Sequence, residues 1–283
     1  MSKRTPPQGM LIAVVSDLHC GSTVGLATPD PVTLDDGGTY VPTDAQRWLW
    51  RHWLGYWATV RRLAAGRNLI VILNGDAMDG DHHGTAQIVS RHPGTQFDIL
   101  LKCLAVPLAL RPRHVIVVRG TESHVGKSGS GEEALARHLL NTGVPVVPCP
   151  DTKTASWWHF TGTFGPLLVS ATHHGRIGQR PWTKGNVSSN LAAQIFYEHA
   201  ARGQRHPDIA LRSHYHKTAD SGDSHPVRVI QTPAWQLATA YAYRVAADSL
   251  ADVGGLTISI DNAEWTVRKH LAVPDPTPTW SIA

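Results

Sequence analysis

The sequence predicts an α/β fold, on two observations. Short, β-rich apolar runs alternate with longer amphipathic stretches, the pattern of strands and helices taking turns along the chain. Those apolar runs also stop at Asp and His residues where ordinary turn residues would be expected. In an open α/β sheet ligands gather beyond the carboxyl ends of the strands, so such termini can meet although they lie far apart in sequence.

Taken in order, Met10 to Ser16 (MLIAVVS) reads as a buried strand with Asp17 at its end. Residues 22–42, rich in Gly, Pro, Thr and Asp, form an excursion. Thr43 and Gln46 make a capping box that opens a helix to about Ala65, with Gly66 ending it. In that helix Trp50, Trp53 and Trp57 fall on one face, and core packing accounts for the stripe better than base stacking does. A second strand, Asn68 to Leu73, runs into Asn74-Gly75-Asp76, and a helix follows over about 95–110.

His114 to Val118 is a third strand, ending in Arg119-Gly120-Thr121-Glu122-Ser123-His124. Ser130 or Gly131 opens a helix to about Leu140, with Glu132 and Glu133 favourably placed in its first turn. Leu167 to Ala171 ends in Thr172-His173-His174-Gly175. A helix over roughly Val187 to Arg202 leads through Ile209 to Leu211 into Ser213-His214-Tyr215-His216. Strands at 227–232, 256–260 and 265–271 complete the pattern, and a proline-rich tail covers 274–283. One domain over 1–273, with 22–66 as an insertion carrying the Trp-rich helix, is the expected organisation.

Composition narrows the class. With 42% hydrophobic and 17% charged residues the chain is ordinary globular material. A net charge of +4 would attract phosphate-bearing substrates without by itself indicating nucleic-acid binding. Cys20, Cys103 and Cys149 offer neither a CxxC pair nor an even framework, so reduced thiols in a cytoplasmic protein are expected. No apolar run approaches the roughly 18 residues of a membrane span. The 17 histidines are the unusual feature, and many sit at strand ends. Carboxylates and imidazoles without clustered thiolates suit Mn, Fe or Zn rather than a structural zinc site.

The strand-end motifs are DLH at 17–19, GDAMD at 75–79, GTESH at 120–124, HH at 173–174 and SHYH at 213–216. Their order resembles the calcineurin-like metallophosphoesterase superfamily, whose motifs run D-x-H, G-D-x-x-D, G-N-H-D/E, H and G-H-x-H. The match spans about residues 10 to 235. The resemblance implies a four-layer α/β/β/α sandwich, two central sheets with flanking helices. It implies that Asp17, His19 and His216 hold one divalent metal and that His214, with His173 or His174, holds the other. Asp76 would bridge the two, and His173 is preferred as the first of its pair. Manganese is the first choice of metal, with Fe, Zn or Ni as alternatives.

The third motif departs from the family. Thr121 follows the glycine, and His124 comes later than the family's histidine. Glu122 is taken as the replacement oxygen ligand, with Thr121 or water as alternatives, and His124 as the general acid. Ser213 stands where the family has Gly. Asp79 is expected to support its loop, which Asp81, His82 and His83 extend. Arg119, Arg176 and His83 are the substrate-contact candidates, with Arg180 and Lys184 close by in sequence. The implied reaction is hydrolysis of a phosphodiester or monoester by a hydroxide bridging the metals. A nucleotide or nucleic acid is favoured as substrate by the basic pI near 9.1 and the aromatic helix.

Two other readings compete. The segment Gly120 to Ser128 has the layout of a P-loop, but five residues (121–125) separate its glycines where that motif has four. A metal- or nucleic-acid-binding member of the fold that has lost turnover is the second, supported by the altered third motif.

Overall fold

The computed structural model describes residues 9–82, 84–178, 180–245 and 250–274. Its elements begin with β1 (Gly9–Val15), a short ribbon of β2 (Val32–Thr33) and β3 (Thr39–Tyr40), α1 (Asp44–Leu63), β4 (Arg67–Asn74) and α2 (Pro93–Leu108). They continue with β5 (His114–Val118), the single turn α3 (Glu122–Val125), α4 (Ser130–Asn141), β6 (Phe160–Phe164), β7 (Leu167–His174) and α5 (Lys184–Ala201). The last are β8 (Ile209–Ser213), β9 (Ala219–Asp220), β10 (Arg228–Gln231), α6 (Ala240–Val245), β11 (Val253–Asp261) and β12 (Glu264–Ala272). The predicted proline-rich tail beyond Pro274 and His83 lie outside the described residues.

Two five-stranded sheets form the centre, ordered β12-β11-β1-β4-β5 and β6-β7-β8-β10-β9. In the first, β1, β4 and β5 are parallel and β11 and β12 add on antiparallel. In the second, β7, β8 and β10 are parallel and β6 and β9 flank them antiparallel.

Alternation along the strands sorts their side chains into layers. Ile12, Val14, Ile70, Ile72, Ile116 and Val118 face the second sheet and share a core with Val169, Ala171, Ile209 and Leu211. The opposite parity, including Leu11, Ala13, Val71 and Val117, packs under α1, α2 and α4. Across the second sheet α5 covers Ala210, Val227 and Val229 through Ala192. The architecture is a four-layer α/β/β/α sandwich.

The capping box of α1 forms as the sequence predicts, with Thr43 and Gln46 each accepting from the other's backbone N–H. Trp53 and Trp57 are fully buried against the first sheet and Trp50 is half-buried, so the stripe is core. Among the described residues no helix is long and apolar enough to cross a membrane.

Candidate metal centre

Strand register brings the motifs together. Val15 pairs with Leu73 and Asn74 with Val118, so the chain leaves β1, β4 and β5 at one level. Backbone bonds extend the alignment past the strands: Asp17 N donates to Gly75 O at 2.9 Å and His19 N to Asp76 O at 3.0 Å. Two glycines permit the close approach. A Cβ on Gly75 would lie 2.3 Å from Nδ1 of His173, and one on Gly120 would lie 2.1 Å from Oδ1 of Asp76.

Asp17, His19, Asp76, His214 and His216 all have positive φ, between 45° and 80°. That backbone region is strained for side chains other than glycine and is typical of functional sites. Here it turns ligand-type side chains from both sheets onto one point.

Four groups of ligand-type side chains converge among the described residues, and two of them, the triads Asp17/His19/His216 and Asp76/His173/His214, share no residue. In the first, Nε2 of His216 lies 3.3 Å from Oδ1 of Asp17 and 3.2 Å from Nε2 of His19. In the second, Nε2 of His173 lies 2.9 Å from Oδ2 of Asp76 and 3.8 Å from Oδ1 of Asp17. Asp76 also groups with His19 and His124, so it reaches towards both triads.

The far atom of four of these six residues is tied down. His19 Nδ1 donates to Asp79 Oδ1 at 3.1 Å, and His173 Nδ1 donates to the Asn74 carbonyl at 2.7 Å. Asp76 Oδ1 accepts from Thr121 N at 2.6 Å, and Asp17 Oδ2 accepts from Ser16 Oγ and from His214 N at 3.3 Å. These bonds fix tautomer and orientation, as outer partners of metal ligands do.

What remains is a set of acceptors aimed at one another. Asp17 Oδ1, Asp76 Oδ2 and His173 Nε2 are buried with no hydrogen-bond partner outside the cluster itself. Unpartnered buried polar atoms are costly, and converging carboxylate and imidazole lone pairs are what a divalent cation satisfies. The residues present therefore fit two metal ions.

Electrostatics agree. Burial would raise Asp17, but His173 and His216 hold it down at about 2. Asp76 is held further below the carboxylate range by His173 and His19 against the same burial. Burial would lower His173, yet Asp76 and Asp17 lift it to about 10. His124 moves the other way: burial and His19 lower it to about 4, so its ring is uncharged at neutral pH.

Several expected roles change. His173 is buried on the face shared with Val169 and Ala171, whereas His174 is exposed and contributes no atom to either triad. Glu122 opens α3 at the surface, with no atom in the cluster, because the helical turn starts there and throws its side chain outward. Thr121, like His124 of the same motif, touches the site: its Oγ1 lies 2.9 Å from Nδ1 of His214.

Arg119 is not available to substrate. Its guanidinium is buried in bonds to Ser156 Oγ (2.8 Å), Ser128 O (2.9 Å) and Glu133 Oε2 (3.4 Å). Arg176 is exposed, and among the described residues no contact joins its side chain to the cluster. Arg180 lies over the Trp182 ring and Lys184 pairs with Asp252 at 3.8 Å. The Gly120–Ser128 segment contains the α3 turn, so it does not form a phosphate-cradling P-loop.

Two participants went unread in the sequence. Asn74 accepts from His173 through its carbonyl and donates through Nδ2 to Ser213 Oγ at 2.6 Å, joining the sheets under the site. Glu132 is buried and accepts from Ala77 N at 3.3 Å, next to Asp76 in the chain. Burial and the Asp76 carboxylate raise it to about 8. In sequence Glu132 looked like its neighbour Glu133, an ordinary helix-start carboxylate.

No family model and no curated protein matches the chain. Solved structures do. One is Vps29 from Entamoeba histolytica complexed with Zn²⁺, 14% identical, covering 93% of this chain and 92% of that one at a TM-score of 0.39. A dimetal phosphatase from Danio rerio is 10% identical over 93% and 99% of the two chains, with a TM-score of 0.40. A metallophosphoesterase from Sphaerobacter thermophilus is 13% identical over 92% and 88%, with a TM-score of 0.36. These TM-scores lie below 0.5, so chemistry is carried by the side chains of the site itself. In its four-layer architecture, the order of its strand-end motifs and the convergence of their ligands, the chain resembles the calcineurin-like metallophosphoesterases.

Proposed function

We propose that the chain is a metal-dependent phosphoesterase acting on a phosphodiester, with a nucleotide or nucleic acid as the favoured substrate. One observation carries the reading: two Asp/His triads share a buried centre in which three ligand atoms have no other partner. Asp17, His19 and His216 would hold one divalent cation and Asp76, His173 and His214 a second, with Asp76 reaching both and manganese the first to try. Such a pair supplies an acidified water and neutralises phosphoryl oxygens.

The chain's own groups do the rest. Asp79 and Asn74 hold the His19 and His173 rings so that Nε2 faces the centre. Thr121 N fixes one oxygen of Asp76 and leaves the other for the site. His124 Nδ1 donates to the Asp79 carbonyl at 2.7 Å, which leaves Nε2 as the atom that exchanges a proton with the departing alkoxide. The ring must first gain that proton, and the negative charge of a bound phosphoester favours it.

The test is release of nitrophenol from bis(p-nitrophenyl) phosphate with Mn²⁺ against an EDTA-treated control. Metal-dependent release supports the reading. Bound metal without release would favour a binding protein that has lost turnover, a reading that rests on the altered third motif and the uncharged His124.

A further inference from the structure

A cavity of about 960 Å³ opens beside the Asp/His cluster, between the loop after β4 and the α3–α4 segment. None of the six residues of the two triads lines it; His124 and His82, which group with Asp79, form the wall nearest the Asp/His cluster. The His124 ring lies 4.5 Å from the ring of His19 on one side and 4.3 Å from that of His82 on the other, centroid to centroid. His124 therefore borders both the cavity and the His19 side of the cluster.

The lining has a definite chemistry. Met78, Phe97, Val125 and Ala134 supply carbon surface. Of the charged side chains, Arg91 and Asp81 pair with each other, and Glu122 and Lys127 are exposed and opposite in sign. The balance is neutral, which gives no footing to a second phosphate or to a charged peptide. The volume is that of a site for a ring-bearing small molecule, and a methyl or ethyl group would leave most of it unfilled.

We propose that this cavity seats the leaving group, and that it selects a neutral, aromatic-bearing alcohol of the nucleoside class with its ester oxygen at His124. This rests on the phosphoesterase reading and adds to it the substrate class.

The four ribonucleosides, binding to the Mn²⁺-loaded protein in calorimetry, are the probes. Ala134→Trp is the variant, since Ala134 lies on an exposed face of α4 where a large side chain projects into the cavity without disturbing the core. At least one nucleoside should bind the wild type and bind the variant at least about tenfold more weakly, as overfilling a site does. Inorganic phosphate affinity and melting temperature should not change. Binding of none of the four, or equal binding by both proteins, overturns the proposal. Variant-sensitive nucleoside binding in a protein that fails to hydrolyse bis(p-nitrophenyl) phosphate would uphold the cavity as a nucleoside site and overturn the diesterase reading.

Discussion

Nε2 of His173 faces Oδ2 of Asp76 at 2.9 Å, and neither atom has a hydrogen-bond partner beyond that contact. Because Nδ1 of the same ring is committed to the Asn74 carbonyl, the neutral ring turns a lone pair towards a carboxylate. Two acceptors at that distance repel unless a cation joins them. In the metal-free protein a proton serves, which is why His173 is lifted to about 10. A divalent metal would displace it.

Metal loading at neutral pH should therefore expel a proton, and affinity should rise with pH. Calorimetry in two buffers of different ionisation enthalpy reads the proton directly. His173→Ala should lose about one metal equivalent, whereas His174→Ala, altering an exposed ring, should keep both. Equal metal contents in the two variants would remove His173 from the ligand set.

The third motif makes a separate prediction. Thr121 touches His214 through Oγ1 and Asp76 through its backbone N–H, while Glu122 faces solvent. Thr121→Ala keeps the backbone bond and removes the hydroxyl, so metal affinity should fall by about tenfold or more, the usual effect of losing an outer partner. Glu122→Gln should leave metal affinity unchanged. Competition with a fluorescent chelator measures both, and a reversed order would restore Glu122 as the oxygen ligand.

How far the sequence could be read depends on whether a residue's role is local. The strand runs and the Thr43–Gln46 cap are local, and both appear where the sequence places them. The His173 choice was also within reach, because it continues the inward parity of Val169 and Ala171. Arg119 was not, since its strand-end position is shared by phosphate-binding arginines and only the fold brings Glu133 and Ser156 to it. Glu132 and Glu133 have the same local signature, and the sheet beneath α4 alone decides which is buried. The strand Phe160–Phe164 went unseen because FTGTF has a central glycine and no aliphatic run.

Away from the site, Asp220 on β9 joins the sheets. It pairs with Arg228 at 3.0 Å and with Lys269 of β12, in the other sheet, at 2.9 Å. Burial would raise this carboxyl, but the two cations lower it from 3.8 to about 2. A depressed folded-state value means that the pair stabilises fully above about pH 4 and is lost as pH falls through about 2. Asp220→Asn should cost roughly 1 kcal/mol at pH 7, the upper range for a partly exposed pair. The two melting curves should converge below about pH 2. A gap independent of pH would show that the carboxylate's charge is not what holds the edge.

His124 offers the sharpest test of mechanism, because an acid matters in proportion to how badly the leaving group needs a proton. Nitrophenolate departs unaided near neutral pH, whereas a nucleoside alkoxide does not. His124→Ala should therefore cost little on bis(p-nitrophenyl) phosphate and about a hundredfold or more on a dinucleotide, within the usual range for general acid catalysis. The sign with pH follows from the ring's titration. As pH rises the imidazolium is lost, so the wild-type rate on the dinucleotide should fall on its alkaline side and the variant should lack that limb. With Nδ1 held by Asp79 O, only Nε2 can make the transfer. Equal losses on both substrates, with metal content intact, would instead assign His124 to positioning His19 or the 79–82 loop.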